Sequence, residues 1–399
     1  MKKDILYILT GNTVLQVTSL LSSIIISIYY TPKALGEYSL IILTSSILAT
    51  FYTLRAETLI LIEKSTSNIR KTYSFAKNFS TILFCITTVM TILSIILLKD
   101  YYFMLFLPFL SYTIANQLIE RELFFIESRF KEEAIISGSK GIINNILQIV
   151  LKSFTNALIV AKLISEASYV LVAKKRNSYN NNFNLIETYA YFKKNKDALL
   201  GLTGNRLLQN ISNNGFHYIT SFYFGLSTLG LLTLGMKLIQ LPGNMLGEAL
   251  SKIFEKYQQS YSEREYKTFT IKFYIALFFI SIITSISIGI VSYLDFFHLL
   301  PKQWGDISKI ALILSPLTIP TITNAFIISC YKISNKISKY NKIEITEGFS
   351  KSITLIAFGI KKELNTYIIC YVTISLIFSI FKFLYYIKNN NSRFISTSK

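Results

Sequence analysis

The sequence predicts an all-α integral membrane protein: about twelve transmembrane helices in two pseudo-symmetric six-helix lobes around a central cavity. Three observations carry this. The chain is 51% hydrophobic and 16% charged over 399 residues, with mean hydropathy +0.44, too apolar and charge-poor for an ordinary soluble domain. Apolar runs of about 18 to 25 residues recur along it, each long enough to cross roughly 30 Å of hydrocarbon as a helix. A short signature also repeats between its two halves. A barrel of short alternating strands is excluded, because stretches such as Ile82 to Leu98 and Ile271 to Val291 are almost continuously apolar.

The first run follows Met1-Lys2-Lys3-Asp4 and continues to about Tyr30, longer than a signal-peptide core and ending in bulky Tyr29-Tyr30, so it is read as the first span. The predicted spans cover about residues 5–30, 38–61, 74–98, 102–120, 134–151, 155–173, 200–222, 226–250, 270–291, 307–330, 346–360 and 366–387. Cys85, Cys330 and Cys370 are odd in number and fall within spans, which supports neither a disulfide framework nor a metal site.

Lysine and arginine concentrate in the even-numbered connections, among them Arg70 and Lys71, Arg129 and Lys131, Lys174 to Arg176 with Lys193, Lys194 and Lys196, and Lys339 and Lys342. Basic loops mark the cytoplasmic side, so both termini are expected there. The formal charge of +19 is thereby accounted for without nucleic acid, which would require cations on one folded face with aromatic platforms. The longest polar connection, with its Asn180-Asn181-Asn182 run, divides the chain. The expected organisation is a first lobe over 1–175, a cytoplasmic linker over 176–198, a second lobe over 199–388 and a cytoplasmic tail over 389–399. Gly11-Asn12-Thr13-Val14-Leu15-Gln16 recurs as Gly204-Asn205-Arg206-Leu207-Leu208-Gln209, an offset of 193 (204 less 11). Leu35-Gly36 recurs as Leu229-Gly230, an offset of 194 (229 less 35). Six spans between the copies give both the same orientation, hence parallel lobes related by an axis along the membrane normal.

Several spans carry polar residues at helical spacing. Asn12, Gln16, Ser19, Ser23 and Ser27 share a face of the first, and Arg206, Asn210, Asn213 and His217 a face of the seventh, with Asn205 and Gln209 alongside. Lys237, Gln240, Asn244 and Glu248 form a third stripe in the eighth, where Leu241-Pro242-Gly243 is expected to kink or open the helix. Lone serines are read as interhelical glue. A cation at mid-membrane costs roughly 2.5 to 3.5 kcal/mol on insertion scales, which points Arg206 and Lys237 towards a hydrated cavity. Arg55 and Glu57 lie at the end of the second span, Lys162 and Glu166 form an i,i+4 pair in the sixth, and Lys140 is placed at headgroup level. His217 is expected to be packed or to line the cavity. An interior with excess cations, amides and hydroxyls suits a substrate that joins phosphate to sugars. The candidate substrate-binding residues are Asn12, Gln16, Arg55, Arg206, Gln209, Asn213, Lys237, Gln240 and Asn244. Glu57, Glu166 and Glu248 are the candidates for H+ or Na+ coupling. No phosphate loop, no HExxH and no soluble catalytic constellation occurs, so no enzyme activity and no cofactor is predicted.

Four motifs in order resemble one family. Tyr30-Thr31-Pro32-Lys33-Ala34-Leu35-Gly36 is similar to its Tyr-Ser-Pro-x-x-Phe-Gly turn, and Leu54-Arg55-Ala56-Glu57 to its Leu-Arg-Tyr-Glu element. Leu241-Pro242 with Leu246-Gly247-Glu248-Ala249-Leu250 resembles the eighth-span pattern, and Trp304 stands where the family has a Gly-x-x-Trp turn. The family is the polysaccharide or O-antigen (Wzx-type) flippases of the multidrug/oligosaccharidyl-lipid/polysaccharide (MOP) exporter superfamily, whose fold is MATE-like. The resemblance implies a bacterial inner-membrane flippase that carries an undecaprenyl-pyrophosphate-linked oligosaccharide to the periplasmic leaflet. Membrane lipids surround it, and the polymerase and chain-length regulator of the pathway are candidate partners. An arginine usual before the turn is Ile28 here, a loss that Arg206 or Lys237 is expected to offset. The alternatives are a cation-coupled drug exporter of the superfamily, disfavoured by a basic lumen, a membrane-embedded polymerase or ligase, disfavoured by short outer loops, and an assembly subunit.

Overall fold

A computed structural model describes residues 17–63, 65–98, 102–177, 179, 183–257, 263–294, 300–334 and 336–390; side chains are further left out at 213 and 241–257, among others. Helices dominate and no strand occurs among the described residues. In order they are α1 Val17–Tyr29, α2 Pro32–Thr53, α3 Ala56–Ile62, α4 Thr66–Leu98, α5 Phe106–Ile126, α6 Phe130–Val150, α7 Ala157–Arg176, α8 Leu185–Tyr257, α9 Glu263–Tyr293, α10 Ile307–Leu314, α11 Thr318–Ile333, α12 Ile337–Ile360 and α13 Leu364–Asn390. They match the expected spans once three local features are read. The second span breaks at Leu54 and Arg55, both left-handed, into α2 and α3. A 3-10 turn at Ser315–Leu317, set by Pro316, joins α10 to α11 within the tenth span. The seventh and eighth spans fuse into α8, which turns at Gly225 with φ 83°.

The turn at Gly225 replaces the expected opening at Leu241-Pro242-Gly243. Helical backbone runs through Pro242, and Gly225 is the non-helical position inside α8. Membrane helices tolerate proline, because neighbouring groups satisfy the freed carbonyl.

The helices are apolar where they face outward. On α4, Val89 is 58%, Met90 62% and Leu97 80% exposed, and on α9, Phe279, Ile283, Ile286 and Ile290 form a similar outer face. Such surfaces are stable against lipid and not against water. Among the described residues six stretches are long and apolar enough to cross a membrane: Pro32–Thr53, Thr66–Leu97, Asn214–Gln240, Lys267–Tyr293, Lys302–Tyr331 and Leu364–Asn389. Charged residues lower the hydropathy of α5, α6, α7 and α12, and those of Glu120, Lys140, Lys162, Glu166, Glu347 and Lys351 are matched internally, as described below.

The chain divides into two compact units, one of Met1–Tyr30 with Glu37–Asn210, the other of Thr31–Gly36 with Ile211–Lys399. In the first, Tyr73, Phe75, Ile119, Leu123 and Leu199 form one core, where Phe75 stacks on Tyr191 at 4.8 Å. In the second, Phe216, Leu232, Ile239, Leu314 and Tyr367 form one core, and Tyr274, Phe326, Tyr331 and Phe383 another, with the Tyr274 and Phe383 rings stacked 3.5 Å apart. Trp304, the one tryptophan in the sequence, is fully buried in the turn that leads to α10.

Within the second unit the repeated Leu-Gly pair has a specific use. Gly36 is the fifth residue of α2, and Gly230 the fifth after the turn at Gly225. A Cβ on Gly36 would strike the Leu226 carbonyl, and a Cβ on Gly230 would strike the Pro32 carbonyl. Each glycine thus meets the carbonyl four residues before the other, a reciprocal backbone-to-backbone crossing that admits no side chain.

In the first unit Ser128 (φ 55°) closes α5 in a Schellman turn, Arg129 N–H donating to Phe124 O at 2.8 Å and Ser128 N–H to Phe125 O at 3.2 Å. The turn aims the Arg129 guanidinium at Glu132, with Nε–Oε1 3.0 Å and Nη2–Oε2 2.7 Å, and at Glu127 and the Arg176 carbonyl. This Arg129 fork, aided by an Arg176 hydrogen bond, holds the Glu132 carboxyl down to about 2.

Gly36→Ala and Gly230→Ala should each destabilise the purified protein by about 1–3 kcal/mol or more in thermal unfolding. Gly235→Ala, whose Cβ would meet side-chain carbons of Ile310 and Leu314 at 3.4 Å, should be near neutral. Because the Glu132 pKa lies below its unfolded value of 4.5, its stabilising contribution is complete above about 4.5 and is lost as pH falls towards 2. In Glu132→Gln the melting temperature should fall less across that window than in the wild type.

Candidate functional site

Among the described residues, ion pairs tie charged residues of the spans together, and four clusters bear on the candidate residues. At the break between α2 and α3, the Arg55 N–H donates to Thr53 Oγ1 at 3.2 Å. Its guanidinium lies 2.9 Å from the carboxylate of Glu57, which is 2% exposed. Two successive left-handed non-glycine residues concentrate backbone strain at this Leu-Arg-Ala-Glu element, on the order of 1–3 kcal/mol each.

The second cluster centres on fully buried Glu120 of α5. Lys77 of α4 reaches it at 2.5 Å and also donates to Asn116 Oδ1 at 2.7 Å. Tyr73 Oη donates to it at 3.1 Å, and Asn177 Nδ2, just past α7, at 2.5 Å. Both carboxylate oxygens therefore have donors, Lys77 and Tyr73 on Oε1 and Asn177 on Oε2, as a buried carboxylate requires.

The third and fourth share a plan. In the first unit Glu166 of α7 is held by Lys162, one turn earlier, at 2.6 Å, and by Lys140 of α6 at 3.1 Å. The Gln117 amide, oriented as the network requires, donates to Glu166 and accepts from Lys140 Nζ at 2.8 Å. In the second unit Glu347 of α12 is held by Lys351, one turn later, at 2.5 Å, and by Lys382 of α13 at 2.7 Å. Lys382 is 2% exposed and lies over the Tyr340 ring at 4.9 Å, with Lys351 over Tyr371 at 4.8 Å. Each triad is one carboxylate between two lysines, formally +1. They are not related residue for residue, since 347 less 166 is 181, not 193.

These clusters sort the residues singled out by spacing. Lys162 and Glu166 neutralise one another as expected. Lys140 is corrected: its ammonium turns inward to Glu166 because a carboxylate is in reach. Of the coupling candidates, Glu57 and Glu166 are buried in ion pairs, and the side chain of Glu248 lies outside the described residues. Asn12 and Gln16 lie outside them too, as do the side chains of Asn213 and Asn244. Arg206 is exposed and Gln209 half-buried on the first-unit part of α8; Lys237 and Gln240 are half-buried one helical turn apart in the second unit. Asn210 donates to Thr50 Oγ1 at 3.3 Å, and the His217 ring packs edge-on to Phe216 at 5.6 Å.

The first-span stripe is rotated from its expected use. Ser23 and Ser27 bond their own helix backbone, while Ser22 donates to Gln148 at 3.0 Å and the Thr18 carbonyl accepts from Asn145 at 2.9 Å, so the face that holds α6 is Thr18–Ser22. Spacing missed the Lys77–Glu120 pair and the Glu347 triad. For the latter a signal existed: Glu347 and Lys351 repeat the i,i+4 pattern of Lys162 and Glu166.

The sequence matches no protein-family profile and no curated protein. Solved structures do match. An inward-facing multidrug resistance MATE family transporter of the MOP superfamily superposes with TM-score 0.69 at 13% identity, covering 98% of this chain and 100% of that one. The lipid II flippase MurJ, in an inward closed conformation, gives 0.75 at 14% identity over 94% of this chain and 86% of that one. A MOP superfamily transporter from Pyrococcus furiosus, described as having a binding pocket of reverse polarity, gives 0.55 at 14% identity, covering 96% and 93%. At these identities the likeness is one of fold: the chain has the MATE-like fold of MOP-superfamily transporters.

Glu347→Gln leaves buried Lys382 and half-buried Lys351 without a counter-charge and should cost about 3–5 kcal/mol in unfolding of the purified protein. Glu347→Gln/Lys382→Met, which removes one charge of each sign, should recover part of that loss. A double variant no more stable than the single one would contradict the triad's role.

Proposed function

We propose that the protein is a flippase that moves an undecaprenyl-pyrophosphate-linked oligosaccharide repeat unit, for O-antigen or a related surface polysaccharide, from the cytoplasmic to the periplasmic leaflet of a bacterial inner membrane by alternating access. The observation that carries this reading is the charge balance of the helix interiors, set in a fold shared with a lipid II flippase. The third and fourth clusters each hold two lysines to one glutamate, and Arg206 and Lys237 add cations on helices. A doubly charged pyrophosphate is the kind of cargo such an interior favours, whereas a cationic drug is repelled. Gln209 and Gln240, each three residues from its cation, supply amides suited to sugar hydroxyls. In this reading the start of α4, the start of α8 and both termini are cytoplasmic, which the basic connections support. Coupling to H+ or Na+ is assigned to the buried carboxylates, with Glu57 and Glu166 the described candidates. The polymerase and chain-length regulator of the same pathway are the natural partners.

The second reading is a cation-coupled exporter of small molecules, which the MATE likeness keeps in view. Deleting the gene in its host and quantifying lipid-linked intermediates and surface polymer separates the two. Accumulation of complete single repeat units with loss of polymer, restored by the wild-type copy, is the expected result. Arg206→Gln/Lys237→Gln should lower polymer export about tenfold or more without lowering protein abundance, each lost charge contact being worth about 1.5–3 kcal/mol before solvent screening. Normal intermediates and polymer in a host without a second flippase would reject the glycolipid substrate.

A further inference from the structure

The first unit contains a cavity of about 640 Å³ that the proposed transport path does not use, between the first turns of α4 and the first turns of α8. Arg70 and Lys71 of α4 and Lys194 of α8 line it, and among the described residues none of the three has an ion pair or side-chain hydrogen bond. Asn78, Thr188 and Tyr191 form its polar wall, built by bonds from Asn78 Nδ2 to Thr188 Oγ1 at 3.2 Å and between the Tyr191 and Thr72 hydroxyls at 2.7 Å. Two carboxylates also line it. Glu63 already accepts from Asn68 at 3.1 Å, and Glu187 sits in the first turn of α8, whose dipole it complements. Cations outnumber carboxylates three to two, so the lining carries a formal charge of +1.

The segment of α8 beside this cavity has two faces. Thr188, Tyr191, Phe192 and Leu199 turn inward onto α4 and the core it shares with α5. On the opposite side Leu185 is 57%, Ile186 82% and Tyr189 68% exposed, and exposed Lys193, Lys196 and Leu200 continue the stripe at helical spacing. An exposed apolar stripe edged by lysines is the pattern of a helix lying in the headgroup layer of a membrane. It brings the mouth of a cation-lined cavity to the depth of lipid phosphates.

We propose that this cavity binds the phosphodiester headgroup of an anionic membrane phospholipid, with Arg70, Lys71 and Lys194 on the phosphate and Asn78, Thr188 and Tyr191 beside the glycerol. The volume lies within the range of small-ligand sites, and basic pockets at the membrane surface select anionic headgroups. The lipid holds the start of α8 against α4, and so acts as a structural ligand of the first unit.

The test uses the purified full-length protein in detergent. Its melting temperature is followed while dioctanoyl phosphatidylglycerol, dioctanoyl phosphatidylcholine or glycerol phosphate is added. Phosphatidylglycerol should raise it saturably and phosphatidylcholine should not. Arg70→Gln/Lys71→Gln/Lys194→Gln should weaken that response about tenfold or more. All three side chains are exposed, so the variant should melt as the wild type does before lipid is added. Lys339→Gln/Lys342→Gln/Lys361→Gln, which removes the same charge from exposed positions elsewhere, should respond as the wild type. Equal stabilisation by both lipids, or an unchanged response in the first triple variant, would overturn the site. Glycerol phosphate acting as strongly as phosphatidylglycerol would overturn the lipid and make the ligand a soluble phosphate.

Discussion

A charge placed among lipid-facing helices must find its opposite within hydrogen-bond reach, and that requirement organises this molecule. Glu120 ties α5 to α4 and to the end of α7, Glu166 ties α7 to α6 and α5, and Glu347 ties α12 to α13. Apolar helices in lipid gain little from burying one another, since the tails outside are as apolar as the side chains inside. Directional pairs therefore fix which helix lies beside which and at what rotation. A one-residue slip of α13 would turn Lys382 about 100° away from Glu347. The energy of each pair is modest after desolvation, and what it supplies is register.

The same economy explains where irregular backbone is found. Left-handed residues occur at Leu54, Arg55, Ser128, Asn156, Gly225 and Lys362, all at helix ends or turns. In the membrane an interrupted helix leaves carbonyls and amides that need partners. Leu54–Arg55 lies inside a predicted span and carries a guanidinium, so there strain and charge coincide. The Arg129 fork does comparable work where three helix ends meet, gathering the end of α5, the start of α6 and the end of α7 on one side chain.

Hydropathy made the fold class legible, because length and apolarity alone limit a chain like this to helices. The Leu-Gly repeat was also legible, and its meaning emerged only with the packing of Gly36 on Leu226 and Gly230 on Pro32. Charge pairs could be read where both partners lie on one helix, as with Lys162 and Glu166. They could not where the partner is set by tertiary packing: Lys77 and Glu120 are 43 residues apart, and Glu347 and Lys382 are 35. The described part of the α1 stripe needed the packing for a related reason, since spacing identifies a polar face without saying which neighbour it meets. Thr18 and Ser22 meet α6, while Ser23 and Ser27 turn back on their own backbone. At Pro242 the helical backbone continues, so the opening expected there is found at Gly225 instead.

The crossing of Gly36 and Gly230 bears on how such a chain can be inherited. Each glycine is demanded by a carbonyl belonging to the other repeat, so neither repeat sees its own constraint in its own sequence. Selection therefore acts on the two positions jointly, across nearly two hundred intervening codons. Exchange of one half with a relative's would succeed at this point only if the incoming half brought the same bare backbone. The two segments are free to diverge over their lipid faces, yet at this crossing they remain a single heritable unit.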